Sequence, residues 1–173
     1  MKKNIFYLII LLFFTFIFTI FYIGLDKPNF YTPKEIKNKS LEEFTSTELF
    51  SNEQFSSNDI IENNKFTLIN IWSSWCVPCR LEHSVLMDLS EKTDLNIVGL
   101  NYKDKKNNAI KFLNELGNPF SKILTDPDGI VSISLGAYGV PETFLLNNKS
   151  KVIRKYIGPL TKKNILEIIE IVK

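Results

Sequence analysis

The sequence predicts an α/β fold with a central mixed β-sheet flanked by helices. Between residues 66 and 116, a strand-like segment, a helix-like segment, a second strand and a second helix follow one another. This alternation is typical of parallel strands, whereas two later strands joined by a short turn indicate an antiparallel hairpin. Both patterns in one chain predict a sheet of mixed strand direction with helices on both faces.

The N-terminal segment is predicted to be a transmembrane helix. Lys2 and Lys3 precede an apolar run that extends from Ile5 to about Leu25. A helix of about 20 such residues spans the ~30 Å hydrocarbon core of a bilayer. The run lacks the small-residue cleavage site of a signal peptide, so we interpret residues 1–25 as an uncleaved anchor, with a cleaved signal as the alternative. The two lysines favour a cytoplasmic N-terminus, so the rest of the chain would be exported.

Residues 26–39 are interpreted as a tether, because they carry Pro28, Pro33 and several charges between the apolar run and the rest of the chain. Residues 40–173 then suit a single folded domain. The formal net charge of +2 is small, and no basic stripe with interleaved aromatic residues is present. Nucleic acid is therefore not an expected partner.

The first half of the folded region contains a run of continuous apolar sequence. Residues 41–50 alternate weakly and predict a short strand or hairpin. Residues 66–71 are apolar with little alternation, as expected of a central strand covered on both faces. A helix is predicted over residues 77–92, where leucine and valine recur at helical spacing, and a second strand over residues 95–102.

Shorter elements follow in the next part of the chain. A helix over residues 107–116 ends at Gly117, a common helix stop. Residues 119–124 predict an added strand, residues 126–129 a turn and residues 130–135 a short helix.

The chain closes with a hairpin and a helix. Residues 142–147 and 151–157 have the pattern of two strands joined by a turn. Apolar residues then recur at helical spacing from Ile165 to Val172, which predicts a C-terminal helix with one apolar face.

Cys76 and Cys79 are the two cysteines of the chain, three positions apart between a predicted strand and a predicted helix. At a helix N-terminus, unpaired N–H groups and the helix dipole favour a thiolate, the reactive form of cysteine. A structural zinc site would need about four ligands, and the chain adds only His83. A plain structural disulfide over so short a loop would remove little unfolded-state entropy. The pair therefore predicts a redox-active disulfide, with no metal site and no further cofactor, since no flavin or nicotinamide fingerprint is present.

The context of these cysteines resembles known proteins. The segment WCVPC at residues 75–79, with Val140-Pro141 before a later strand, looks like the thioredoxin fold. Four further stretches resemble the DsbE/CcmG family of membrane-tethered thiol:disulfide oxidoreductases of cytochrome c maturation: CRLEH at 79–83, VGLNYKD at 98–104, ELGNP at 115–119 and YGVPETFL at 138–145. The resemblance covers nearly all of the exported region and implies a thioredoxin-like fold. The dipeptide between the cysteines departs from it, at a place that varies within such families and tunes the potential.

The position of the cysteines and the resemblance together assign roles to site residues. Cys76, at the helix N-terminus, is the predicted nucleophile and the more exposed thiol of lower pKa, and Cys79 would resolve the mixed disulfide. Trp75 is expected to shield the disulfide. The resemblance implies that Pro141 follows a cis peptide bond opposite the cysteines, with the backbone of Val140 pairing with an extended substrate segment.

Two acidic residues are candidates for tuning the dithiol. Glu82 follows Cys79 by three residues and shares its helix face, and Glu142 follows the proline and is expected near the same dithiol. A carboxylate close to a thiol raises the pKa of that thiol, which would make the pair a reductant. The alternative is that either residue is a solvated surface charge. His83 is expected to be a surface or packing residue rather than a proton shuttle.

The resemblance implies a disulfide reductase on a bacterial inner membrane, with its catalytic domain in the periplasm. It would keep the haem-attachment cysteines of apocytochrome c, or those of a cytochrome c maturation thiol protein, reduced, with electrons from a transmembrane thiol donor. Three alternatives stay open. They are a tethered reductase for another client such as a copper-site assembly protein, a non-catalytic chaperone that binds apocytochrome, and a disulfide-forming oxidant.

Overall fold

The computed structural model describes residues 2–25 and 40–173. The first range is helix α1 (Lys2–Leu25), whose side chains are exposed over residues 3–22. By length and composition, Lys3–Tyr22 is a candidate membrane span. The predicted tether, residues 26–39, lies outside the described residues.

Residues 40–173 are built on a seven-stranded sheet in the order β2-β1-β5-β4-β3-β6-β7. In chain order the strands are β1 (Thr45–Glu48), β2 (Gln54–Ser56), β3 (Phe66–Trp72), β4 (Asn96–Tyr102), β5 (Lys122–Asp126), β6 (Glu142–Asn147) and β7 (Val152–Ile157). Strands β3, β4 and β5 are parallel, and the pairings outside them are antiparallel. The predicted mixed sheet is confirmed.

Helices cover both faces of this sheet, as predicted. They are α2 (Ser57–Ile61), α3 (Val77–Lys92), α4 (Lys106–Leu116), α5 (Ile130–Ser134) and α6 (Lys162–Val172). Buried side chains of α3, α4 and α6 pack in one apolar cluster, whereas α2 and residues around α5 contribute to the cluster on the other face. The Cys pair belongs to the first cluster, so the cysteines lie on the α3 face.

Strand β3 is the centre of both clusters. Leu68 and Trp72 point to the α3 face, and Ile69 and Ile71 point to the other face, because successive side chains of a strand alternate. This two-sided burial explains the continuous apolar run in the sequence.

Two details differ from the sequence-based expectations. The predicted hairpin at residues 41–50 extends further, since its second strand is β2, and the five-residue helix α2 that follows was not predicted. The signal for α2 is a capping box, in which Ser56 Oγ accepts the Asp59 N–H while Asp59 accepts the Ser56 N–H. Strand β5 begins later than predicted, and Phe120, which precedes it, stacks on Trp72 at 5.6 Å between ring centroids.

Gly99 in β4 generates a test of this packing. A Cβ built on Gly99 would lie 2.8 Å from Trp72 Nε1 and 3.0 Å from the Phe120 ring. We expect Gly99→Ala to lower the free energy of unfolding by about 1–3 kcal/mol, because buried rings must shift to admit a methyl group. Urea unfolding of the full chain in detergent measures the change. Gly139→Ala is the control, since a Cβ there meets nothing within 4 Å, and an equal loss in both variants would contradict this account.

Candidate active site: a disulfide at the start of α3

Cys76 and Cys79 form a disulfide across the first turn of α3, with 5.3 Å between their Cα atoms. Cys76 is the N-cap residue of the helix, and its Sγ accepts the backbone N–H of Cys79 at 3.1 Å. Pro78 lies in the same turn, where a missing N–H costs nothing. After reduction, the same N–H donor would stabilise a thiolate on Cys76.

Both cysteines are buried in the oxidised protein. Cys76 is 4% exposed and Cys79 is 2% exposed, so the predicted difference in exposure is small. The neighbouring apolar side chains of Val77 and Leu81, in contrast, are exposed. The disulfide therefore lies just beneath a surface with apolar side chains.

The residues between β3 and α3, here called the cysteine loop (residues 73–76), are held by the chain that follows β4. Ser74 donates its N–H and its hydroxyl to the Asp104 carboxylate at 2.6 and 2.8 Å. Trp75 donates its Nε1–H to the carbonyl of Lys103 at 3.0 Å, while its ring is 56% exposed. The tryptophan is thus fixed at the surface of this loop, and its role in shielding the disulfide stays a prediction.

The Val140–Pro141 peptide bond is cis. Residues 136–141 form the proline loop between α5 and β6, and Val140 packs against the apolar cluster that contains the cysteines. The antiparallel pairing of β3 with β6 sets Glu142 opposite Ile71, so the proline loop and the cysteine loop leave the sheet at the same edge. Within residues 40–173, the backbone hydrogen bonds of turns and loops do not involve Val140. In this part of the chain, no such hydrogen bond of the Val140 N–H or C=O would compete with pairing to an incoming extended segment.

Glu82 is buried on the α3 face, and the alternative of a solvated surface charge is wrong for this residue. Its Oε2 accepts the N–H of Leu160 at 2.6 Å, and its Oε1 accepts Nδ2 of Asn70 at 2.9 Å. Burial raises the pKa of Glu82 from 4.5 to about 7, although these two hydrogen bonds oppose the rise. A carboxyl group of this pKa, one turn after Cys79, can hold or release a proton near neutral pH.

Asn70 is a site residue that the sequence analysis missed. Its Nδ2 donates to Glu82 and also to the hydroxyl of Thr143 in β6, each at 2.9 Å. The amide thereby joins the helix that carries the cysteines to the strand that follows the proline loop. The available signal was one amide side chain within the otherwise largely apolar run at residues 66–71.

Glu142 is also buried, but its surroundings differ from the expected ones. It begins β6 at the edge near the disulfide, yet its side chain pairs with Lys155 on the sheet face opposite α3, at 2.7 Å from Oε2 to Nζ. Its Oε1 accepts the N–H groups of Tyr138 and Gly139 at 2.7 and 3.0 Å. Because a lysine balances its charge, Glu142 should raise a thiol pKa less than the free carboxylate assumed from the sequence.

His83 packs in the core and is not a surface residue. Its ring meets the Phe112 ring edge-on at 5.0 Å, and its Nε2–H donates to the carbonyl of Gly117 at 3.0 Å. Burial lowers the pKa of His83, which favours the neutral ring. In residues 2–25 and 40–173, histidine, cysteine and acidic side chains form no group of three or more that suits a metal ion.

Comparisons with known proteins find thiol:disulfide interchange proteins among the relatives of this chain. The Redoxin family matches residues 36–169. The chain is 34% identical over 160 residues to the probable thiol:disulfide interchange protein DsbE-2 of Pasteurella multocida, covering 92% of this chain and 84% of that protein. It is 47% identical over 103 residues to the thiol:disulfide interchange protein CycY of Rhizobium leguminosarum bv. viciae, covering 60% of this chain and about half (55%) of that protein. A crystal structure of a putative DsbE from Chlorobium tepidum shares the fold, with a TM-score of 0.67, 22% identity, and coverage of 78% of this chain and 94% of that chain.

The raised pKa of Glu82 generates a prediction about stability and pH. The folded-state value of about 7 exceeds the usual 4.5. The unfolded chain therefore loses this proton at lower pH than the folded chain, and Glu82 makes stability fall as pH rises from about 4.5 to about 7. The loss attributable to Glu82 is at most about 3 kcal/mol. Glu82→Gln should remove it, which urea unfolding of the oxidised chain across this pH range measures.

The exposed residue Glu91 on the same helix supplies the control variant, Glu91→Gln. As pH rises, wild type should lose stability relative to Glu82→Gln. The stability of wild type relative to the control variant should not change with pH. Parallel curves for wild type and Glu82→Gln would show that burial does not raise this pKa.

Proposed function

We propose a function for this chain from its family, since it belongs to the Redoxin family and within it to the DsbE-type thiol:disulfide interchange proteins. The proposed function is that of a membrane-anchored disulfide reductase of cytochrome c maturation. The observation that carries the proposal is the Cys76–Cys79 disulfide at the N-terminus of α3, where Cys76 Sγ already accepts a backbone N–H. This donor supports Cys76 as the attacking thiolate.

The proposed reaction transfers two electrons from the reduced chain to a client. The Cys76 thiolate attacks one sulfur of the client disulfide, which forms a mixed disulfide and releases the first client thiolate. Cys79, deprotonated, then attacks Cys76 Sγ, which releases the second client thiolate and leaves the Cys76–Cys79 disulfide. Glu82 lies one turn from Cys79 and has a pKa suited to accept the proton of Cys79 near neutral pH.

The electrons for the next cycle are proposed to come from a transmembrane thiol donor. The dithiol would be the sole redox group of the protein, without flavin, nicotinamide or metal. Helix α1 contains a candidate membrane span, and an anchor there would keep the exported domain near such a donor. We propose a location in a bacterial inner membrane, with the catalytic domain in the periplasm, where unprotected thiol pairs become oxidised.

The proposed client is a haem-attachment CxxCH segment of apocytochrome c, or a cytochrome c maturation protein that handles it. Covalent haem attachment needs both thiols free, which requires a reductant in an oxidising compartment. The support is the family membership together with the segment YGVPETFL at residues 138–145, which spans the end of the proline loop and the start of β6. A copper-site assembly protein would be served by the same sulfur chemistry, so the client must be identified directly.

Trapping tests the roles of the two cysteines and the client. We expect Cys79→Ser to accumulate a mixed disulfide on Cys76, because the resolving thiol is missing, and Cys76→Ser to abolish disulfide reduction. Mass spectrometry of the trapped complex from cells names the client. Carbonate extraction before the analysis should leave the complex in the membrane fraction if residues 1–25 are retained as an anchor.

Each other outcome contradicts a part of the proposal. A copper-site protein as the trapped partner would replace the cytochrome client. Binding of apocytochrome that survives the loss of both cysteines, without any covalent adduct, would indicate a chaperone. Faster alkylation of Cys79 than of Cys76 in the reduced chain would reverse the assignment of nucleophile and resolving thiol.

The direction of the reaction has a test of its own. Ionised Glu82, buried one turn after Cys79, disfavours a thiolate in the reduced cysteine pair, and a stabilised thiolate is what makes such a pair a strong oxidant. We expect a reduction potential nearer to the ~−270 mV of thioredoxin than to the ~−120 mV of DsbA. Equilibration with glutathione buffers measures the potential, and a value above about −170 mV would place the protein among disulfide-forming oxidants.

A further inference from the structure

We propose that Lys155 is a positioning residue that holds the proline loop in the shape with which a client segment pairs. The inference rests on the proposed exchange with protein disulfides. It concerns how a client is held beside the cysteines, and it adds to the site a residue that neither touches the sulfur atoms nor lies near them in the sequence.

Lys155 is a nearly buried cation in β7, with its side chain 10% exposed. Its Nζ lies 2.7 Å from Glu142 Oε2 and donates to the carbonyl of Gly136 at 2.8 Å. The same ammonium lies over the rings of Tyr138 and Phe144, at 4.6 and 5.2 Å from their centroids. Removing it would leave a buried carboxylate and a loop carbonyl without this partner, which is costly in a dry environment.

Through Glu142, the lysine also reaches the middle of the proline loop. Glu142 Oε1 accepts the N–H groups of Tyr138 and Gly139 in the loop backbone, and Oε2 of the same carboxylate pairs with Lys155. The direct bond to Gly136 fixes the start of the loop. Lysine and glutamate together tie both parts of the loop to the strands β6 and β7.

The loop needs such support because its own sequence is permissive. Gly136 has a φ of +80°, a conformation that favours glycine, and a Cβ built on Gly139 would meet no atom within 4 Å, so the loop is not tightly packed at that position. The next residue, Val140, carries the backbone groups that we expect to pair with the client. A misplaced Val140 would pair less well with the client backbone, and a loss of such binding raises KM while kcat is unchanged.

Arg154 provides a matched comparison on the same strand. It lies beside Lys155 but faces α6, where its Nε pairs with Glu167 Oε1 at 2.8 Å. These side chains are 36% and 41% exposed, and exposed pairs contribute little to stability. No contact of Arg154 in the described chain reaches the proline loop, so Arg154→Met removes an ion pair of β7 without touching the site.

The test compares two disulfide substrates for the full chain in detergent, with dithiothreitol as electron source. Insulin supplies a polypeptide disulfide, and bis(2-hydroxyethyl) disulfide has no peptide backbone to pair with the loop. We expect Lys155→Met to raise the KM for insulin about tenfold, while kcat and the rate with the small disulfide stay within about twofold. Arg154→Met should match wild type, and Lys155→Arg should recover most of the lost affinity.

A second variant keeps the test decisive if Lys155→Met folds poorly. Glu142→Gln/Lys155→Met removes both charges, so no buried charge is left unpaired, but the Gly136 carbonyl still lacks its donor. The KM for insulin should stay raised in this double variant. Equal losses with both substrates, or a wild-type KM in the double variant, would overturn the proposal.

A failure of the proposed function looks different from a failure of this inference. A wild-type chain that exchanges with the small disulfide but does not reduce insulin contradicts the reductase proposal. The same KM comparison is then made in the oxidising direction with a reduced dithiol peptide. There a wild-type KM for Lys155→Met overturns the role of Lys155, and a raised KM supports it.

Discussion

The antiparallel pairing of β3 with β6 is the constraint on which the site depends. β3 ends where the cysteine loop begins, and β6 begins where the proline loop ends, so their pairing brings both loops to one edge of the sheet. The parallel neighbour β4 adds the chain that holds Ser74 and Trp75 through Asp104 and Lys103. Three chain segments distant in sequence thus meet at the carboxyl end of β3, as is typical of functional sites in α/β sheets.

Two buried carboxylates beside this edge have opposite electrostatic environments. Glu82 accepts two hydrogen bonds, but burial dominates and raises its pKa to about 7. Glu142 is equally buried, yet Lys155 and two backbone N–H groups surround it. The first group is therefore suited to proton transfer, whereas the second is suited to holding a loop in place. The same type of side chain serves two purposes because Lys155 pairs with Glu142, whereas neutral N–H donors hold Glu82.

Local patterns in the sequence predicted the central strands and the long helices, but not β2 or α2. The resemblance to a known family, rather than periodicity, predicted the cis bond of the proline loop. The cysteine pair, the cis bond before Pro141 and the two acidic residues all lie in short recognisable segments. Their surroundings could not be predicted, because each depends on a contact across the fold. Glu82 meets Leu160 at a separation of 78 residues, and Glu142 pairs with Lys155 on the next strand. Short-range periodicity carries no information about such pairs.

The alternation of side chains along β6 makes the site sensitive to strand register. Neighbouring residues serve opposite faces: Glu142 meets Lys155, and Thr143 meets Asn70. A slip of β6 by one position would exchange the two environments, since every side chain of the strand would change face. A carboxylate would then enter the apolar face beneath α3, and an ammonium would lose its counterion. Insertions and deletions in the loop before β6 are therefore tolerable only where the loop accommodates them without shifting the register of β6. The contacts of the site and the register of the sheet thus depend on each other.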